Sequence, residues 1–246
     1  MDVSERRAWT RDELILAINL YCKTPFGRIH MRNPAIIELS KKLGRTTGSV
    51  SYKLANFASI DPTIDRKGAV NVSKLDREVW NEFFNDWEKM ILESEARMSQ
   101  LKMVKIKVEK FDDYNIKKGE TKNTIVKVRI NQDFFRKMIL TSYNNSCCIT
   151  GIDNTELLVA SHIIPWACDK ENRVNPMNGL CLNALHDRAF DNGLISIDES
   201  YNVIISKKVK HKLILQYDRQ QIKLPDRFLP DQKFLSYHRK NIFLGH

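Results

Sequence analysis

His162 and His186 stand 24 residues apart, with Asn178 and Gly179 between them and strand-like runs on either side. A neutral imidazole accepts a proton readily near pH 7. An imidazole, an amide or a carboxylate can also hold a divalent metal that steadies a departing oxygen. Asp187 and Asp191 lie four apart, and so share a face if that segment is helical. Phosphodiester hydrolysis needs both parts, a proton acceptor for water and a cation, held on opposite sides of one phosphate. The alternative is two unrelated histidines, one or both in the core or on the surface.

Charge hints at a polyanionic partner, though basic surface also serves solubility. The 246-residue chain carries a formal net charge of +10, and basic chains favour polyanions because each neutralised phosphate releases counterions. The lysines cluster: residues 102–127 hold eight against four acids, and residues 207–240 hold ten Lys or Arg against three. No apolar run approaches the ~18 residues of a membrane span. "MDVSERRAWTRDE" lacks the apolar stretch of a secretory signal, which points to the cytoplasm and no membrane partner. Five cysteines, Cys22, Cys147, Cys148, Cys168 and Cys181, form neither a C-x-x-C pair nor an even-numbered framework. They read as buried, reduced thiols.

The elements that would position the site follow from pattern. "TRDELILAINLYC" opens with Thr10 as cap and Glu13 three residues on, a capping box. "NPAIIELSKKLG" has Asn33 as cap, Pro34 at the first helical position and Gly44 as terminator. "RTTGSVSYKLANF" begins another helix at Thr46 or Thr47, giving a helix-turn-helix shape. Its first turns would present Arg45, Thr46, Ser49 and Lys53 to a major groove, with Ser51, Tyr52 and Asn56 nearby. A plain three-helix bundle is the other reading. "LDREVWNEFFNDWEKMILESEARMSQ" predicts one helix with a stripe of Leu75, Val79, Phe83, Trp87 and Ile91. "KMVKIKVEKF" alternates like a strand. Phe134, Phe135, Met138 and Ile139 predict a short helix ending at Asn144-Asn145. Then come a strand over 156–165, a loop, the strand "LCL", a helix on "NALHDRAFD" and the strand "GLISID".

Residues 147–198, "CCITG … LLVASHIIPW … NRVNPMNGLCLNALHDRAFDNGLISID", resemble the HNH nuclease family and within it the restriction-endonuclease branch. A looser likeness touches "GETKN", "NQDFFR" and "LSYHRKNIF", and "LGRTTGSVSYKLANFASIDP" is similar to a helical module found ahead of such domains. The resemblance implies an α+β chain. Residues 1–100 would form an all-α, helix-turn-helix-like DNA-binding domain, 101–127 a Lys-rich linker, and 128–246 a ββα-metal nuclease domain. It implies His162 as general base, Asn178 as the amide that braces the hairpin, and His186 as a catalytic and metal-binding residue. Asp191 would be a metal ligand or would support one. Asp187 is a second candidate. Many members place Asp or His where this chain has Ser161, a weak neutral ligand, which leaves the ligand set open. The cofactor implied is a divalent metal: Mg²⁺, with Mn²⁺, Ni²⁺ or Zn²⁺ as alternatives. The partner implied is double-stranded DNA, and a double-strand cut from one site per chain calls for a homodimer. The competing function is a DNA-binding regulator that keeps the nuclease fold without its activity.

Overall fold

The computed structural model describes residues 7–64, 69, 71–101 and 122–245. The alternating segment "KMVKIKVEKF" lies outside them. The chain divides into two compact units, Met1–Gln132 and Asp133–His246, and each is described by itself.

In the first unit α1 (Arg11–Cys22) is the central element, with every residue from Glu13 to Cys22 buried. Around it pack α2 (Pro34–Leu43), α3 (Thr47–Ile60), α4 (Lys74–Asn85) and α5 (Trp87–Leu101). Their starts follow the expected capping chemistry. Thr10 and Glu13 form a capping box on α1, Asn33 caps α2 ahead of Pro34, and Thr46 caps α3. Gly44 takes the left-handed conformation at φ 61° that ends α2, which costs glycine nothing. The single helix expected over residues 75–100 is two. Asp86 leaves helical geometry (φ −140°, ψ 77°), and its carboxylate accepts from Lys89 N at 3.1 Å to start α5. The apolar rhythm runs through this break because both helices bury Val79, Phe83 and Ile91.

The boundary between the units falls within α6 (Lys122–Ser142). The expected short helix is therefore 21 residues long, and residues 122–127, read as linker, are helical. Phe134, Phe135, Met138 and Ile139 are buried as their spacing predicts. In the second unit β1 (Leu158–His162) pairs antiparallel with β2 (Gly179–Asn183), His162 opposite Gly179. A methyl group at Gly179 would lie 2.4 Å from Ile139 Cδ1, so its bare backbone lets the hairpin press onto α6. Helix α7 (Ala184–Asp191) follows β2 directly, capped by Asn183. Then β3 (Ile195–Ile197) pairs antiparallel with β4 (Val203–Ile205). The short α8 (Lys212–Leu215) and the terminal α9 (Gln232–Asn241) complete the unit. No described helix is long and apolar enough to cross a membrane. None of the five cysteines forms a disulfide; four are buried as expected, but Cys168 is exposed.

Helix α9 is tied to α7 by His238, which is buried and stacked on Phe190 with ring centroids 3.7 Å apart. Its Nε2–H donates to Phe190 O at 3.1 Å and Nδ1 accepts from Ser196 Oγ at 2.8 Å. Burial, with Arg239 adding to it, pushes this imidazole down to about 4 against the Phe190 carbonyl. A depressed histidine stabilises the fold fully above its unfolded value near 6.5 and loses that contribution as pH falls toward 4. At ~1.4 kcal/mol per pKa unit the loss is about 3 kcal/mol. Urea midpoints should therefore drop between pH 6.5 and 4, and a His238→Asn chain should start lower and fall less steeply. An equal acid slope in both chains would rule His238 out as its source.

Candidate active site

His162 ends β1 with its ring packed flat against Phe135 of α6, centroids 4.1 Å apart and planes 10° from parallel. The edge of Trp166 closes another side, at 5.5 Å. His162 Nε2 lies 2.8 Å from the main-chain oxygen of Arg173. A carbonyl can only accept, so Nε2 carries the proton and Nδ1 keeps the lone pair. Burial lowers the imidazole pKa, opposed by the Arg173 carbonyl. The ring is thus neutral at pH 7 with one nitrogen ready to accept.

The loop that supplies this carbonyl is fixed by Asn178, which is fully buried. Asn178 Oδ1 accepts from Ile164 N at 2.8 Å, and Nδ2 donates to Ile164 O at 3.3 Å and Asn172 O at 3.2 Å. The Asn178 main-chain oxygen accepts from Ile163 N at 3.0 Å. The amide touches neighbours of the base, and so sets the base's position.

Ser161, one residue before His162, is buried on β1 and its hydroxyl makes no hydrogen bond of ordinary geometry. It nevertheless lies against the Asp187 carboxyl on α7 and helps keep that group ionised. Burial works the other way and leaves the Asp187 pKa raised. Asp191, one turn later at the surface, is raised by partial desolvation and then by Asp187 itself. His186 is buried, and Asn183 Oδ1 accepts from both its main-chain N at 3.0 Å and its Nδ1 at 3.1 Å. Its Nδ1 therefore carries the proton, and buried Nε2 has a lone pair with no hydrogen-bond partner. The Tyr217 ring meets it edge-on at 5.2 Å. Among the described residues no three His, Cys, Asp or Glu side chains converge as a metal cage. The donors that fit a cation are narrower: the strained acid pair Asp187 and Asp191, and the orphaned His186 Nε2.

The residues expected to contact a groove in the first unit are placed as follows. The Arg45 side chain is 7% exposed and bonds Glu13 Oε2 at 2.8 Å and Oε1 at 3.0 Å. It also donates to the main-chain oxygens of Arg7 and Ala8 and lies over the Trp9 ring at 4.2 Å. Lys53 is buried and grips both oxygens of Asp76 at 2.8 and 2.9 Å. Both cations hold the helices together and neither offers its charge to a ligand. Thr46 is exposed but its hydroxyl caps α3 through Ser49 N at 3.1 Å. Ser49 is half-buried, and Tyr52 is the exposed large side chain of that helix.

Pattern reading missed Arg173, Trp166, Asn183 and Tyr217. Only Asn183 carries a local signal, as an Asn ahead of a helix; the others act through tertiary contact.

A hairpin with a helix packed against it, carrying a proton-accepting histidine at one strand end and acids on the helix, is a ββα finger in an α+β chain. Residues 147–198 match the family model described as HNH endonuclease. A solved structure described as "Modification dependent TagI restriction endonuclease" is 21% identical, with a TM-score of 0.30. The match covers 44% of this chain and 37% of that chain, less than half of either. No curated protein matches.

Proposed function

We propose that this chain is a metal-dependent endonuclease that hydrolyses DNA phosphodiester bonds, acting in the bacterial cytoplasm in restriction or a related defence. The observation that carries the reading is His162: inside the HNH-matched segment, its Nε2–H is tied to Arg173 O. Nδ1 takes the proton of a water, whose oxygen attacks phosphorus; the P–O3′ bond breaks and the 3′-oxygen takes a proton from solvent, giving 5′-phosphate and 3′-hydroxyl ends. Phe135 and Trp166 cover part of the imidazole and fix its plane. Asn178 holds the loop that fixes its tautomer. Asp187 and Asp191, both raised by burial, would hold the cation; His186, on the same helix, has a buried Nε2 with no hydrogen-bond partner. A divalent cation bound there supplies positive charge to the leaving 3′-oxygen. One or two carboxylates with water and substrate phosphate completing the sphere is the pattern of Mg²⁺, with Mn²⁺ as its close substitute. The net charge of +10 supports a polyanionic partner, and a homodimer would place two sites for a double-strand cut.

Plasmid incubated with the protein and Mg²⁺ or Mn²⁺ should be nicked or linearised, and EDTA should stop it. Asp187→Asn should shift the half-saturating metal concentration upward by about tenfold or more. Cleavage that persists in EDTA, or an unmoved metal titration, would sink the assignment. Ser161, a neutral group facing Asp187, favours a second reading, a DNA-binding regulator with the fold but not the activity. Salt-dependent binding with no nicking under either metal would select it.

A further inference from the structure

We propose that the guanidinium of Arg173 is a phosphate-binding cation of this site, built into the same loop that holds the general base. The proposal deepens the nuclease reading and rests on it for its substrate.

Arg173 has two distinct jobs available. Its main-chain oxygen fixes His162. Its side chain turns back across the loop: Nε donates to Trp166 O at 2.8 Å, and the guanidinium carbon stands 5.2 Å from the Trp166 ring centroid. These contacts use one of five N–H donors and one face. The two terminal amino groups bond no described residue, and the nearby acids Asp169 and Glu171 form no ion pair with them. Asp169 instead accepts from Glu171 N, Asn172 N and Asn172 Nδ2. The residue is half-buried, so the cation is held in place yet reachable.

His162 and Arg173 meet the same indole, His162 nearly perpendicular to it with centroids 5.5 Å apart and the Arg173 guanidinium carbon 5.2 Å from its centroid. The indole therefore sets the spacing between proton acceptor and cation. A planar fork with two free amino groups suits two oxygens of one phosphate. Its stem is already ordered by the Trp166 carbonyl, so little rotamer freedom is lost on binding. A lysine here could offer charge but neither the fork nor the carbonyl bond. Arg239, by contrast, is committed to Ile197 O and Glu199.

The test uses the full chain as wild type, Arg173→Gln and Arg173→Lys, with two readouts. Cleavage of supercoiled plasmid in Mg²⁺ or Mn²⁺ should be about 100-fold slower for the Gln variant, the cost of losing one oriented donor. Binding of a labelled duplex in EDTA should show a salt slope shallower by about 0.9, one phosphate contact. The Lys variant should recover the slope but only part of the rate. The ¹⁵N shifts that report the His162 tautomer should not move in either variant, because the carbonyl that sets it is main chain. Wild-type rate and slope in the Gln variant would overturn the proposal and leave the nuclease reading standing. A rate loss with an altered His162 tautomer, and no recovery of slope by Lys, would assign Arg173 to structure alone and also overturn it. If wild type binds duplex but never cleaves it, the nuclease reading fails while the slope still decides the phosphate contact. If wild type binds no duplex, both fail.

Discussion

Replacing His162 by glutamine is expected to slow DNA cleavage by a factor of about 10² to 10⁴, the range lost with a general base. Glutamine can keep a donor toward Arg173 O and an approximately planar end against Phe135, the two contacts that hold the imidazole. What it lacks is the lone pair at Nδ1. The comparison therefore isolates proton transfer, and duplex binding measured without metal should be unchanged. The pH profile of the wild type sharpens this. Burial lowers the His162 pKa from its usual 6.5, so the base stays unprotonated through neutrality and the acid limb of the rate profile should lie below that value. A glutamine chain that cleaves at the wild-type single-turnover rate would remove His162 from the chemistry. A limb above pH 6.5 would contradict the buried, neutral imidazole.

The largest expected loss of stability lies at Gly193, in the turn between α7 and β3. Its φ is +66°, and a methyl group there would meet Ile242 O at 2.0 Å and Phe243 Cα at 3.2 Å. Gly193 O also accepts from Leu244 N at 2.8 Å, so the chain after α9 is seated directly on this glycine. Alanine would incur a left-handed backbone cost of ~1–2 kcal/mol and an overlap cost of ~1–3 kcal/mol. Because the obstacle is backbone, no rotamer change can relieve it. Gly193→Ala should therefore lose about 2–5 kcal/mol in urea unfolding. Gly151 supplies the control, with φ +75° and no atom within 4 Å of an added methyl. Gly151→Ala should show the backbone cost alone. Equal losses in the two chains would mean that the C-terminal segment is not seated where described.

Much of this molecule is legible in its sequence, and the division is physical. Caps and turns depend on neighbours within four residues, so Thr10 with Glu13, Asn33 with Pro34, Gly44 and Thr46 announce the helix ends they make. The order strand, loop, strand, helix around His162, Asn178 and His186 is likewise local pattern, and the structure keeps it. Charge is legible only as charge. Arg45 and Lys53 look like nucleic-acid contacts until Glu13 and Asp76 are brought to them from 32 and 23 residues away. Asp187 is legible as an acid sharing a helical face with Asp191, but the influence of Ser161 on it belongs to the packing of α7 on β1. Arg173 is the clearest case of what pattern cannot carry. It fixes the base through a main-chain oxygen, which every residue type possesses, and its side chain gains meaning only from where Trp166 lies.

The Asn178 amide closes the loop that begins at Ile164, fourteen residues earlier in the chain. With Asn172 also held, that loop behaves as a ring fastened at its neck. A ring of this kind has little conformational freedom left to surrender when a ligand arrives, because that freedom was given up during folding. On the proposed nuclease reading, DNA would meet a loop already ordered around His162, with no loop closure needed on binding.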